Sequence, residues 1–336
     1  MSKLILKEGY RSALSLRQTE EAIKLIKDDF ERRLATALNL QRVSAPLIVT
    51  RGSGINDDLN GVERKVSFDL KNLPGEQMEI VQSLAKWKRM ALQEYGFGAD
   101  EGLYTDMNAV RRDDDMDNLH AVLVDQWDWE RVITPGERNR EFLCRVAAAI
   151  VGAVADTKEM IRQRFPSLAE PVVRTPYCLT TQELLDRYPG LTPKERERAI
   201  TKEYGTVFLM QIGAPLSDGA PHDGRAPDYD DWALNGDLLM WSGVLETAVE
   251  LSSMGIRVNA ESLRRQLKAA GCEDRLRFPY HQGVAKGTLP LTVGGGIGQA
   301  RICLLLLEKL HIGEVLSSVW SPEDRAACEA AGVALL

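Results

Sequence analysis

The chain has 336 residues and a formal net charge of −7 at pH 7. This length can bury a large hydrophobic core, in one large domain or two ordinary ones. The net negative charge argues against a broad nucleic-acid surface, so we expect no nucleic-acid partner. Five scattered cysteines and four isolated histidines form neither a zinc pattern nor a disulfide framework. With no apolar leader and no apolar run of about 18 residues, the sequence predicts a cytoplasmic protein that does not enter membranes.

Apolar periodicity predicts the elements of the N-terminal half. A long amphipathic helix is expected over 16–40, because apolar side chains recur at steps of three or four. A short strand interrupted by a proline follows at 43–49, which is typical of a sheet edge or an interface. The other elements predicted here are a loop at 52–61, strands at 62–70 and 78–81, a helix at 85–95 and a hairpin of strands at 103–111 and 119–128.

The C-terminal half begins with a second long predicted helix, at 137–165. The elements expected after it are helices at 180–188 and 193–204, strands at 207–212, 237–241 and 255–258, and a helix at 261–270. No internal repeat or flexible linker divides the sequence. Strand groups separated by long helices predict a single α+β domain, residues 1–336, built on a mainly antiparallel sheet.

The run GGGIGQAR, residues 294–301, stands directly before an apolar helix-like segment. It lacks the Gly-Lys-Ser/Thr ending of a phosphate-binding loop, and Gln299 occupies the position where G-x-G-x-x-G needs its last glycine. What remains is a predicted tight glycine turn that brings backbone close to a planar ligand, followed by Arg301. This combination favours a nucleotide base or phosphate held by an arginine.

The second strand of the predicted hairpin carries two polar residues on one face. A period of two places Gln126 and Asp128 on the same side, with Trp127 on the other. The polar face either lines a polar site or is exposed to solvent, as one face of an antiparallel sheet often is. The tryptophans of the WDW sequence argue against a fully solvated strand.

Two acidic residues, Asp237 and Glu250, lie in or beside strands predicted near the glycine-rich segment. Carboxylates at such positions are natural magnesium ligands when phosphates share the ion. The alternative is ordinary surface salt bridging with nearby arginines.

Three sequence patterns together resemble the catalytic cores of class II aminoacyl-tRNA synthetases. They are a long helix followed by a strand with a proline, an R-x-D…H-x-x-x-V strand pair, and a G-x-G-x-x-R-like segment before a helix. Longer blocks, over roughly residues 15–320, resemble the ammonia-dependent asparagine synthetase (aspartate–ammonia ligase) family. The blocks are DDLNGVE, SLAKWKR, EGLYTDM, VDQWDWERV, TQELLDRYPG, RAPDYDDW, LNGDLLMW, ELSSMGIRV and GGGIGQAR.

The resemblance implies a two-step reaction with L-aspartate, ammonia and ATP as substrates and Mg²⁺ as cofactor. The side-chain carboxylate of aspartate would attack the α-phosphorus of ATP, giving β-aspartyl-AMP and pyrophosphate. Ammonia would then attack the acyl carbon and release asparagine and AMP. The helix and strand over 16–49 would form the two-fold interface of a homodimer.

The resemblance also assigns roles to particular residues. Arg111 would bind the α-phosphate, Gln126 would bond the reacting carboxyl–phosphate centre, and Asp57 would hold ammonium or take its proton. Without the resemblance, Asp57 would be read as a residue of an Asx-turn. The aspartate pocket would comprise Ser83, Lys88, Asp128, Ser253 and Arg257. Arg225 and Asp230 would line the same pocket, and the alternative for these two is a salt-bridged loop. The nucleotide would contact Arg111, His120, Gly296 and Arg301, and the metal would bind Asp237 and Glu250.

Three other functions are open to a protein with these patterns. A complete aminoacyl-tRNA synthetase is disfavoured because the motifs span 40–301 and leave no expected room for an anticodon-binding domain. A glutamine-dependent amidotransferase usually needs an activated cysteine, and position 2 is a serine. A catalytically inactive synthetase-like binding or regulatory protein is the third. The joint presence of five residues argues against it: Arg111, Gln126, Asp237, Glu250 and Arg301.

Overall fold

A mixed eight-stranded sheet and a smaller three-stranded sheet organise the computed structural model, which describes residues 4–57, 59 and 63–336. The helices are α1 (Leu16–Leu38), α2 (Ala85–Glu94), α3 (Arg140–Arg164), α4 (Thr181–Arg187), α5 (Pro193–Tyr204), α6 (Ala260–Ala269), α7 (Pro279–Lys286), α8 (Gln299–Leu306) and α9 (Pro322–Ala330). The strands are β1 (Leu40–Arg42), β2 (Ile48–Thr50), β3 (Ser67–Leu70), β4 (Leu73–Ile80), β5 (Gly102–Val110), β6 (Leu123–Val132), β7 (Tyr177–Thr180), β8 (Thr206–Met210), β9 (Asp230–Ser242), β10 (Thr247–Arg257) and β11 (Thr292–Gly298).

The large sheet has the strand order β1-β5-β6-β11-β10-β9-β8-β7. Its two outer pairs, β1 with β5 and β7 with β8, are parallel. Every pair between them is antiparallel. The prediction of an α+β fold on a mainly antiparallel sheet is therefore confirmed.

The two long helices form where the sequence predicted them and cover one face of this sheet. Ser15 caps α1 through a reciprocal pair of hydrogen bonds with Gln18, which satisfies free backbone donors at the helix start. Ile26, Phe30 and Leu34 of α1 are fully buried in the main hydrophobic core. Because α1 and α3 pack against each other on this face, the opposite face of the central strands is left for polar side chains.

The glycine run at 294–298 corrects one prediction, since it forms strand β11 rather than a turn. It pairs with β6 on one side and β10 on the other, and none of its glycines has a positive φ. Glycine is required here because neighbouring side chains already occupy the space that a Cβ atom would need. A Cβ on Gly294 would overlap the Glu130 carboxylate, and a Cβ on Gly296 would overlap the Gln126 amide.

Several predicted boundaries were also wrong. Instead of one strand at 43–49, β1 and β2 flank an irregular segment that contains Pro46. The second hairpin strand runs from Leu123 to Val132, and the strand expected at 237–241 starts at Asp230. Part of the strand expected from residue 62 lies outside the described residues, and β3 starts at Ser67. No helix among residues 4–57, 59 and 63–336 is both long and apolar enough to cross a membrane.

Candidate active site

A cleft of about 680 Å³ opens on the face of the large sheet opposite α1 and α3. Strands β6, β10 and β11 contribute to its walls, together with the 224–230 segment and the start of α8. All the predicted site residues line the cleft except Asp57 and Asp237. Those that do are Ser83, Lys88, Arg111, His120, Gln126, Asp128, Arg225, Asp230, Glu250, Ser253, Arg257, Gly296 and Arg301.

Strand β6 alternates as the sequence predicted. Gln126 and Asp128 face the cleft, whereas Trp127 and Trp129 are fully buried in the core on the other face. Asp128 is only 3% exposed. The polar face of this strand therefore lines a site and is not the solvated face that the sequence left open.

Lys88, on α2, contacts Asp128 of strand β6. Its ammonium contacts the Asp128 carboxylate and donates to the carbonyl oxygens of Trp129 at 2.8 Å and Gly295 at 3.2 Å. Burial lowers the pKa of Lys88 and raises the pKa of Asp128, although each charge favours the other. Lys88 thus holds Asp128 in place, and its own three donors are directed at protein oxygens.

Arg257 is the centre of a buried network of charges that includes a residue the sequence analysis missed. It donates to Glu130 at 2.7 Å and also contacts Asp230. Thr292 donates to the same Glu130 carboxylate at 2.6 Å. Burial opposes the charge of Arg257, but Glu130 and Asp230 raise its pKa well above the usual value. Glu130 could have been found, because the period of two that groups Gln126 and Asp128 continues to it.

Arg225 links the cleft to Asp237. One terminal nitrogen donates to Asp237 at 2.6 Å and the other donates to the Ser253 hydroxyl at 2.5 Å. The Nε atom of Arg225 is buried and has no hydrogen-bond partner among the described residues. Arg225 therefore places a positive charge in the wall of the cleft and keeps one unsatisfied hydrogen-bond donor. Such a donor is expected where a bound ligand accepts the missing hydrogen bond.

Arg111 follows the end of β5 and has few contacts with the protein. Among the described residues its guanidinium makes one hydrogen bond, to the carbonyl oxygen of Gln82, which is long at 3.5 Å, and its Nε atom is buried without a partner. Gln82 in turn donates from its amide to the Asp57 carbonyl oxygen at 3.0 Å. Asp57 is 1% exposed and lies behind the cleft wall rather than in it.

Arg301 lies at the start of α8, where the sequence placed it. It donates to the backbone oxygen of Glu250 at 2.8 Å and lies 3.8 Å from the Glu250 carboxylate. Asp125, on the core face of β6, accepts from the Ala300 N–H at 3.0 Å and pairs with Lys27 of α1. A carboxylate at a helix N-terminus satisfies free backbone donors, so Asp125 fixes the helix that carries Arg301.

Asp237 and Glu250 lie on neighbouring strands and were predicted to bind a metal ion. Burial and the charge of Glu250 raise the pKa of Asp237 to about 7, although Arg225 opposes this shift. A bound cation would relieve the repulsion between the two carboxylates. Among the described residues no group of three or more His, Cys, Asp or Glu could hold a metal ion. Mg²⁺ commonly binds one or two carboxylates and takes its other ligands from phosphates and water, so the assignment of the ion to this pair stays a prediction.

The fold is that of the catalytic cores of class II aminoacyl-tRNA synthetases. An asparaginyl-tRNA synthetase from Pyrococcus horikoshii, solved with asparaginyl-adenylate, aligns with a TM-score of 0.66 at 14% identity, over 89% of this chain and 68% of that one. An aspartyl-tRNA synthetase from Entamoeba histolytica aligns with a TM-score of 0.59 at 17% identity, over 91% of this chain and 59% of its own. At such identities the similarity establishes the fold alone.

The sequence comparisons define the family. The sequence profile of aspartate–ammonia ligases matches residues 17–332. An aspartate–ammonia ligase from Clostridium perfringens is 55% identical over the whole length of both chains. One from Lactobacillus johnsonii is 52% identical over 99% of both. The chain belongs to the aspartate–ammonia ligase family, and the predicted resemblance is confirmed.

Proposed function

We propose that this protein is an ATP-dependent ligase that converts L-aspartate and ammonia to L-asparagine, with release of AMP and pyrophosphate. The observation that carries this proposal is the match to aspartate–ammonia ligases along the entire chain. The cleft supports it, because cationic and anionic side chains converge there on a space of about 680 Å³. Adenylation supplies the leaving group that the carboxylate of aspartate lacks, and ammonia can then displace AMP.

We assign the reacting centre to Arg111 and Gln126. The planar guanidinium of Arg111 can bind two phosphate oxygens and stabilise the charge that develops at the α-phosphorus. Its unsatisfied Nε atom agrees with a role toward a ligand rather than toward the fold. Gln126, on the cleft face of β6, supplies an amide donor to the carboxyl oxygen that becomes bonded to phosphorus.

The aspartate pocket follows from the charges on the cleft walls. Asp128 would accept from the α-ammonium group of the substrate, because it faces the cleft and its contact with Lys88 holds the carboxylate in place. Arg225 and Arg257 provide positive charge for the α-carboxylate, with hydroxyls from Ser83 and Ser253 beside them. The remaining polar residue of this pocket, Asp230, orients Arg257 through their buried contact.

The nucleotide would occupy the other end of the cleft. Arg301 presents its guanidinium beside Glu250, and Gly296 allows close approach to the sheet because a side chain there would collide with Gln126. His120 lies on the same wall. Asp237 and Glu250 would bind Mg²⁺, which would neutralise the phosphates. Asp57, in the 52–57 segment behind Arg111, would receive ammonia.

We further propose a cytoplasmic homodimer. Leu47 and Ile48, at the β2 side of the expected interface, are 48% and 42% exposed, and apolar side chains at such positions favour a subunit contact. All five cysteines are free, in keeping with a reducing compartment. Sedimentation equilibrium at micromolar concentration should give twice the mass of the chain, and a single-chain mass would refute the dimer.

The function is tested by nucleotide product analysis. The purified protein should form AMP from ATP when aspartate and ammonium are both supplied with Mg²⁺, and should make asparagine in equal amount. Formation of ADP, or equal activity with glutamine as the sole nitrogen source, would refute the proposal. The half-reaction offers a second readout, because aspartate alone should support exchange of labelled pyrophosphate into ATP.

A further inference from the structure

A second cavity, of about 80 Å³, is bounded by the 52–54 loop and the side chain of Phe278. Its polar walls include Asn56, Lys86 and His281. A buried water molecule needs about 10–15 Å³ of such space, so the cavity has room for molecules of the size of water or ammonia. None of the roles proposed above involves it.

Asp57 lies between this cavity and the cleft. On the cavity side, the Asn56 amide oxygen accepts from the Asp57 N–H at 3.0 Å, and Lys86 donates to the Asn56 carbonyl oxygen at 3.3 Å. On the cleft side, Gln82 bonds the Asp57 carbonyl oxygen and accepts the long hydrogen bond from Arg111. A chain of direct contacts therefore leads from the cavity wall through Asp57 to the residue assigned to the α-phosphate.

His281 supplies an unsatisfied acceptor in the cavity wall. It is completely buried, and its Nε2 atom lies 2.9 Å from the Asp228 carboxylate. Although burial opposes the charge of Asp228, Lys86, His281 and Arg275 hold its pKa far below the usual range, so this carboxylate can only accept. The proton between the two groups therefore lies on Nε2 of His281, which leaves Nδ1 as the other hydrogen-bonding atom of the ring. Nδ1 is buried, and no described residue forms a hydrogen bond with it.

The charges around the cavity favour a neutral occupant. Lys65, Lys86 and Arg275 line it, and two carboxylates pair with them: Glu79 in the wall lies 3.9 Å from Lys65, and Asp228 behind the wall lies 3.2 Å from Lys86 and 2.9 Å from Arg275. Because both carboxylates are already paired with protein cations, a buried ammonium ion would lack a counter-charge of its own, which favours neutral ammonia. Ammonia also meets the hydrogen-bonding need, because its N–H groups can donate to His281 while its lone pair accepts from Lys86.

We propose that this cavity admits neutral ammonia to the active site through a route separate from the cleft that takes aspartate and ATP. Ammonium releases its proton to solvent water at the 52–54 loop, and ammonia then passes His281 and Asp57. No other bond forms or breaks before ammonia attacks the activated aspartate. This inference rests on the proposed function, and it explains how the nucleophile reaches the acyl carbon when the cleft is filled.

The test uses a pair of variants at Ser53, which belongs to the 52–54 loop and lines the cavity. Ser53→Phe should obstruct the cavity, and Ser53→Ala is the matched control without added bulk. In asparagine synthesis, Ser53→Phe should raise the KM for ammonium by about tenfold or more, equivalent to about 1.4 kcal/mol or more. Ser53→Ala should stay near wild type, and both variants should keep the aspartate-dependent exchange of pyrophosphate into ATP.

An unchanged KM for ammonium in Ser53→Phe, with exchange intact, would overturn the inference and leave the proposed function standing. Absence of exchange in the wild-type protein would instead refute the proposed function. If Ser53→Phe also loses exchange, the variant His281→Gln provides the deciding test of the inference. Its amide can still donate to Asp228 but lacks the Nδ1 acceptor. The KM for ammonium should rise several-fold while the KM values for aspartate and ATP hold, and an unchanged ammonium KM would overturn the inference.

Discussion

Replacing Arg111 by alanine separates chemistry from folding more cleanly than any other change at the site. The side chain makes one hydrogen bond to the described part of the chain, at 3.5 Å, so its loss should change the free energy of unfolding by less than about 1 kcal/mol. Removal of a donor that stabilises transition-state charge costs about 3–4 kcal/mol of barrier. This corresponds to a loss of about 10²- to 10³-fold in rate.

The assay is the aspartate-dependent exchange of pyrophosphate into ATP, measured beside urea unfolding of the same samples. Arg112→Ala provides the matched control, because Arg112 is the exposed neighbouring residue and does not line the cleft. We expect Arg112→Ala to retain exchange. Near-normal exchange in Arg111→Ala would refute the assignment of Arg111. A loss of several kcal/mol of stability in that variant would refute the argument that its donors are kept for the ligand.

Four further changes test other parts of the structure. Arg257→Ala leaves Glu130 buried without its main partner and should destabilise the protein by about 3–5 kcal/mol in urea unfolding. A change below about 1 kcal/mol would contradict the claim that Arg257 and Glu130 form a buried ion pair. Burial lowers the pKa of His311 from 6.5 to about 4, so its neutral form adds stability above pH 6.5 that is lost as the pH falls toward 4. His311→Asn should remove about 3 kcal/mol of that acid sensitivity, and parallel stability–pH curves for the two proteins would disprove the assignment. Asp125→Ala should raise the KM for ATP with little change in the KM for aspartate, because α8 loses the acceptor at its N-terminus and Arg301 loses its fixed position. Equal effects on both KM values would point to a merely structural role. Chelation of Mg²⁺ should abolish exchange, with recovery on adding the ion back, and full exchange in the chelated sample would exclude the proposed metal site.

Local sequence patterns were enough to predict the long helices and the alternation of strand β6. Ser15 and the apolar positions of α1 define a helix without help from the rest of the chain. The alternation of Gln126 and Trp127 likewise depends only on strand geometry. These elements are local, so their prediction did not need the tertiary structure.

The glycine run could not be predicted from local rules, because its glycines respond to partners far along the chain. Gly294 makes room for Glu130, and Gly295 makes room for Met254 of β10. A glycine-rich segment before a helix usually indicates a turn, and here tertiary packing overrides that preference.

The buried charge network around Arg257 could not be predicted from local rules either, because its members lie far apart in the sequence. Glu130 and Arg257 are 127 positions apart, and their pairing emerges only when β6, β11 and β10 become neighbours. The family resemblance nominated Arg257 and Asp230 but gave no sign that they contact each other. The His281–Asp228 pair behind Asp57 was missed for the same reason, since its members are 53 positions apart.

The alternation of side chains along β6 also places two tryptophans where their intrinsic fluorescence can report ligand binding. Trp127 and Trp129 sit directly behind Gln126 and Asp128, in a dry environment that shields their indole rings from quenching by solvent. An ionic ligand docking on the front of this strand changes the electric field across one layer of backbone. We expect the near-ultraviolet emission of these rings to follow ligand occupancy, so that binding can be titrated without a chemical label.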